Sequence, residues 1–75
     1  MYTHIGEVIR YIREEQGLTQ TFVGDMTEVE RKTVGRIEAT GQGRIESVEK
    51  ILGVLGYELE IVPKNGRKKA LNWTI

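Results

Sequence analysis

Apolar residues recur at intervals of three and four along four stretches of the chain, a period that predicts amphipathic helices. The first stretch, THIGEVIRYIREEQG, carries an apolar stripe of Ile5, Val8, Ile9 and Ile12. We expect Thr3 to cap the start of this helix and Gly17 to follow its end. The charged side chains between the apolar positions would then face water.

A second, shorter segment runs from about Gln20 to Met26. Thr19 can cap it, because a threonine hydroxyl accepts a hydrogen bond from the free amides of a first turn. Two turns of helix are too short to be stable alone. We therefore expect Val23 and Met26 to hold this segment by packing inward.

A third helix should follow after a few polar residues and end near Ala39, with Val34 and Ile37 on its inner face and Val29 just before it. TEVE (27–30) is a capping-box pattern, which would start this helix early. ATGQG (39–43) has glycines and no periodicity, so it is predicted to be a loop.

The fourth apolar stripe follows Arg44 and is ended by Gly56; its members are Ile45, Val48, Ile51, Leu52 and Leu55. The period then changes to two. In YELEIV, Tyr57, Leu59 and Ile61 alternate with Glu58 and Glu60, which predicts a strand with one buried face, ended by Pro63.

A single strand needs a partner for its backbone hydrogen bonds, and the sequence offers two. Asn65-Gly66 is a hairpin signal that could bring ALNWTI alongside. A two-residue turn there would pair Leu59 with Asn72, which puts Leu71 and Trp73 on the glutamate face. We therefore favour the second solution, in which the strand pairs with its copy in another subunit across a two-fold axis.

Composition narrows the class of protein. With 39% hydrophobic and 29% charged residues, the 75-residue chain is typical of a small globular domain, for which a partner subunit is a natural supplement. It has no cysteine and no apolar run long enough for a signal region or a membrane span, so we expect a cytoplasmic protein. No nucleophile–base set, metal-ligand spacing or phosphate-binding glycine loop occurs, so we expect neither an enzyme nor a cofactor or metal.

The charge is zero overall, with 11 basic and 11 acidic residues, but it is unevenly distributed. Residues 1–63 hold seven basic and eleven acidic residues, a net of −4. Residues 64–75 hold four basic residues and no acid. DNA-binding proteins are usually basic, so the position of each charge must decide whether this chain binds a nucleic acid.

Two short helices joined by a turn, the second with outward cations, have the helix-turn-helix arrangement. Residues 4–56 resemble the Cro/cI-type (XRE) helix-turn-helix family of bacterial and phage regulators. IGEVIRYIREEQGLTQ is similar to that family's first helix and the start of its second, VERKTVGRIE to its recognition helix, and GRIESVEKILGVLG to the helix that follows. The resemblance rests on this ordered set and covers about 70% of the chain.

The resemblance implies particular contacts with DNA. Gln20 would donate to a phosphate, and the groove-facing side of the third helix would present Arg31, Lys32 and Arg36, with Thr33 close to the DNA backbone. Lys32 and Arg36 lie one turn apart on a helix, and an arginine can bond guanine in the major groove. The alternative is that these cations form an ordinary solvated face, balanced by nearby glutamates.

Three residues depart from the family pattern. Glu28 stands at the turn where the family often has glycine, and it would be strained if that position needs a positive φ. Gly24 stands where a small residue lets the two helices approach. Phe22 occupies a usually polar position, so it would either make a contact from the surface or pack against the first helix.

The order of a helix-turn-helix, the strand LGYELEIV and a tail containing LNW more weakly resembles the HipB-type antitoxins. The resemblance implies a strand that joins its dimer mate and a protein that represses its operon and binds a kinase-like toxin. Leu71 and Trp73 are then candidate partner-binding residues. The tail could instead be a disordered terminus or a basic arm that touches phosphate.

We thus predict a mainly α fold of four to five short helices, with a C-terminal β-strand that pairs across a homodimer. Residues 1–56 would form the DNA-binding domain, 57–62 the dimerisation strand with Tyr57, Leu59 and Ile61, and 63–75 a basic tail or second strand. The predicted function is sequence-specific repression at a palindromic operator, in an antitoxin or another regulator. The alternative is a protein-binding module that neutralises a partner through its C-terminal segment.

Overall fold

The computed structural model describes residues 2–63, which form four helices. They are α1 (Ile5–Glu15), α2 (Gln20–Thr27), α3 (Arg31–Thr40) and α4 (Ile45–Leu55). α1 packs against α3 and α4, and α2 packs against the same two helices. The prediction of a mainly α fold with four helices is confirmed. None of these helices is long and apolar enough to cross a membrane.

The core lies where the four inner faces meet. Its buried members are Ile9 of α1, Val23 of α2, Val34 and Ile37 of α3, and Val48, Ile51, Leu52 and Leu55 of α4. Burying an aliphatic side chain of this size contributes roughly 1.5–3 kcal/mol, so this cluster is the main stabilising feature of a short chain. Ile5, Ile12, Leu18 and Val29 pack around it.

The start of α1 differs from the prediction. His4, and not Thr3, is the N-cap, since its Nδ1 accepts a hydrogen bond from the Gly6 amide at 3.0 Å. Thr3 instead donates to the Glu7 carboxylate through both its backbone N–H and its hydroxyl. Both residues precede the apolar stripe, and the sequence alone did not distinguish them.

Two residues of the predicted apolar stripes are exposed. Met26 was expected to pack inward, but 59% of it is accessible, and Ile45 in the first turn of α4 is 67% exposed. Each lies near an end of its helix, where the periodicity continues but the neighbouring helix no longer covers it. Phe22 is also exposed.

Residues 57–62 follow α4 without regular secondary structure, and no strand occurs within residues 2–63. Tyr57, Leu59, Ile61 and Val62 are exposed there. The predicted strand depends on a second copy of the chain, so it stays a prediction. The predicted hairpin at Asn65-Gly66 lies outside the described residues.

Candidate nucleic-acid interface

The turn between α2 and α3 sets the direction of the third helix. The Thr19 hydroxyl caps α2 by accepting from the Phe22 amide at 3.0 Å, as the sequence predicts. At the other end of α2, a Cβ added to Gly24 would lie 2.7 Å from the Val29 carbonyl oxygen. The close approach expected at this glycine is therefore present, and it brings the turn directly against α2.

Glu28 directly follows α2 and begins this turn in the left-handed conformation, with φ of +60°. A positive φ is unfavourable for a residue with a side chain, so the strain expected at Glu28 under that condition is present. The predicted early start of α3 is wrong. Thr27 belongs to α2, where its hydroxyl donates to the Val23 carbonyl, and α3 begins at Arg31.

Lys32 and Arg36, two of the cations predicted to contact DNA, lie on the outer side of α3, whereas Arg31 lies on the flank of its buried side at the first helical position. Val34, Ile37 and Glu38 are buried and mark the inner side of this helix. Lys32 and Arg36 point away from that side, because 100° per residue places them on the opposite half of the helix. Both are exposed, as is Arg31 at the first helical position, while Thr33 is half-buried.

Gln20 lies at the first turn of α2 and reaches across to α3. Its Nε2 donates to Glu38 Oε1 at 3.1 Å. Its amide also lies beside the backbone of Gly35, where an added Cβ would be 3.5 Å from Gln20 Oε1. A side-chain amide has two N–H donors, so the bond to Glu38 leaves one for another acceptor.

Glu38 is held in turn by Arg13 of α1. The guanidinium donates to both carboxylate oxygens, at 2.6 and 2.9 Å, and also to the Leu18 carbonyl at 2.7 Å. The hydrogen bond to Glu38 raises the pKa of Arg13 above its already high ordinary value. Arg13 therefore stays charged, and its bonds to Glu38 fix α3 and the Gln20 amide relative to α1.

Three cations line a cleft of about 370 Å³ that is bounded by the α2–α3 turn, α3 and the first half of α4. They are Arg36, Arg44 and Lys50, and we call this surface the basic cleft. Thr33 and Ser47 contribute hydroxyls to the same walls. Arg31 and Lys32 do not line it and lie farther toward the start of α3.

The residues of α4 that line this cleft were not among the predicted DNA-contacting residues. Arg44, Ser47 and Lys50 are spaced by three residues, so they follow one side of α4 next to its buried stripe. This spacing was the feature of the sequence that could have indicated a shared polar side of α4. It could not show that this side of α4 shares a cleft with Arg36, because that depends on how the four helices pack.

Acidic side chains stand among these cations. Glu28 and Glu30 also line the cleft, and the Glu30 carboxylate lies 3.7 Å from Lys32 Nζ. The surface thus holds acceptors as well as donors. Of the other proposed site residues, Tyr57, Leu59 and Ile61 are exposed, and Leu71 and Trp73 lie outside the described residues.

Comparison with known proteins agrees with this arrangement. A family model described as helix-turn-helix, of the Cro/cI (XRE) type, matches residues 9–62. The matched range contains α2, α3, α4 and most of α1. No curated protein matches the chain.

Proposed function

We propose that this chain, which belongs to the Cro/cI-type helix-turn-helix family, is a sequence-specific transcriptional repressor that binds a palindromic operator. The observation that carries the proposal is the orientation of α3. Its apolar side is buried in the core, while Lys32 and Arg36 project outward beside the basic cleft.

On this proposal, α3 enters the major groove of the duplex. Arg31, Lys32 and Arg36 would donate to base edges or phosphates there, and an arginine fork matches guanine O6 and N7. Arg44 and Lys50 would neutralise phosphates flanking the groove. Gln20 would use its second N–H on a phosphate near the start of α2.

The same proposal gives residues 57–62 a role in assembly. Tyr57, Leu59 and Ile61 expose apolar side chains on a segment that has no strand partner among residues 2–63. Pairing of this segment across a two-fold axis would cover them. Binding to a palindromic operator would then require the two copies of α3 to lie about one helical turn of DNA apart, roughly 34 Å, which is the spacing of operator half-sites.

The test is titration of labelled duplex from the region upstream of the gene, followed by fluorescence anisotropy at two salt concentrations. Arg36→Ala and Lys32→Ala should each weaken binding and flatten its dependence on salt. Arg10→Ala is the matched control, because Arg10 is an exposed cation on α1 paired with Glu14 at 3.3 Å. Equal binding by all three variants would contradict the proposed interface.

An antitoxin role is a second candidate, and it is supported only by the order of sequence features after α4. It predicts that the wild type, but not a chain ending at Pro63, co-purifies with the product of an adjacent gene. Retention of that partner by the shortened chain would remove Leu71 and Trp73 from their proposed role. DNA binding is measured separately, since one protein can do both.

A further inference from the structure

Glu30 occupies the N-cap position of α3 but does not cap the helix. Its backbone has φ of −58° and ψ of 140°, and its side chain accepts no hydrogen bond from the first turn. Thr19, at the same position of α2, does make that bond. The Glu30 carboxylate instead projects outward and is 73% exposed.

The nearest cation is Lys32, whose Nζ lies 3.7 Å from Glu30 Oε2 and whose side chain is 84% exposed. An ion pair this exposed contributes little to stability, because water screens it and two long side chains lose freedom. The pair is therefore not required for folding. Its position does matter for DNA, since the first residues of a recognition helix are those that contact base edges.

A G·C base pair presents complementary groups on its major-groove edge. The cytosine N4 amine donates a hydrogen bond, and guanine O6 and N7 beside it accept. A carboxylate next to an ammonium group offers an acceptor and a donor side by side. An A·T pair also presents one amine, adenine N6, but its acceptors, adenine N7 and thymine O4, lie on either side of that amine, whereas guanine O6 and N7 are adjacent. Lysine therefore prefers guanine, and carboxylates pair with cytosine N4.

We propose that Glu30 and Lys32 together recognise one G·C base pair in each operator half-site, with Glu30 accepting from cytosine N4 and Lys32 donating to guanine. This inference rests on the proposed function and adds two specificity-determining residues with a stated base preference. The proposed bond to cytosine also explains why a carboxylate stands on a surface that would approach negatively charged phosphates. At a non-matching site the Glu30 carboxylate would lose its water to the duplex without gaining a donor, which disfavours that complex.

The experiment selects duplexes from a random-sequence pool with the full chain and sequences what is retained. The variants are Glu30→Gln and Lys32→Gln. Asp25→Asn is the matched control, since Asp25 is an exposed carboxylate on α2 that does not line the basic cleft. Thermal unfolding of each variant shows whether it is folded.

We expect the wild type and Asp25→Asn to enrich the same half-site with one invariant G·C pair. Glu30→Gln and Lys32→Gln should lose the preference at that one position, and each should bind the wild-type half-site about 5- to 150-fold more weakly. Glu30→Gln should bind a random duplex at least as well as the wild type does, because it removes a negative charge.

Two results would overturn the inference. Retention of every base preference by both variants would show that Glu30 and Lys32 contact no base. An equal change in Asp25→Asn would show that only total charge matters. Failure of the wild type to enrich any sequence would instead refute the proposed function itself, so the two failures are distinguishable.

Discussion

Arg13 and Glu38 form a bidentate ion pair that joins α1 to α3 beneath the protein surface. Arg13 Nε lies 2.6 Å from Glu38 Oε2, and only 11% and 3% of the two side chains are accessible. The Leu18 carbonyl and the Gln20 amide satisfy further hydrogen-bonding groups of the pair. These additional hydrogen bonds matter because a buried charge is tolerated only when it is paired and hydrogen-bonded.

We predict that removing either partner alone destabilises the fold strongly. Arg13→Met or Glu38→Leu should lower the free energy of unfolding by about 3–5 kcal/mol, since each leaves an uncompensated charge. The double variant Arg13→Met/Glu38→Leu should lose less than the sum of the two. Urea unfolding of the four proteins gives the coupling, and strictly additive losses would contradict a mutually dependent pair.

Two helical glycines should respond to alanine in opposite directions. A Cβ at Gly53 of α4 would meet nothing within 4 Å, so Gly53→Ala should raise the free energy of unfolding by about 0.5–1 kcal/mol through better helix propensity. Gly24→Ala should lower it, because its Cβ would lie 2.7 Å from the Val29 carbonyl oxygen. The two variants differ only in position, and stabilisation by both would contradict the close approach at the turn.

The imidazole of His4 should act as a helix cap. His4→Ala should lower the free energy of unfolding by about 1 kcal/mol, since the Gly6 amide loses its acceptor. His4→Asn should retain most of the stability, because asparagine caps in the same way. Thermal unfolding of both variants measures this, and equal losses would point to packing against Gly41, which the His4 ring also adjoins.

Acid should weaken the start of α1 through Glu7. The Thr3 backbone N–H, and then its hydroxyl, hold the pKa of the Glu7 carboxyl below its ordinary value of 4.5. A pKa that is lower in the folded than in the unfolded state gives stability that is present above the unfolded value and lost as pH falls through the folded one. Glu7→Gln should remove this part of the pH dependence. Unfolding temperatures between pH of about 6 and about 3 test it, and identical curves would refute it.

Assembly should depend on the segment after α4. If residues 57–62 pair between two copies, Ile61→Lys should shift the chain from dimer toward monomer in analytical ultracentrifugation, because a charge replaces an apolar side chain that pairing covers. Met26→Lys is the control, since Met26 is also an exposed apolar residue but lies on α2. A wild-type monomer at micromolar concentration, or equal effects of both variants, would contradict the pairing.

Most of the architecture was predictable because its determinants are local. These determinants act within a few residues of one another along the chain. They are the threonine cap of α2, the glycines that follow α1 and α4 with φ of +70° and +92°, and the apolar periods. The positive φ of Glu28 was raised only as a condition, through the resemblance to a family that often has glycine there. The predictions for Thr3, Met26 and Ile45 were wrong because all three residues lie at helix ends. There the sequence pattern did not indicate which residue caps the helix or which side chains are buried.

The four helices, and the position of Lys32 and Arg36 opposite the apolar side of α3, could be predicted from periodicity along the chain. The cleft that Arg36 shares with Arg44 and Lys50, and the hydrogen bond from Gln20 to Glu38, follow only from the packing of the helices. This is because periodicity defines the apolar side of each helix separately. Distances between side chains of different helices depend on how those sides pack around the common core.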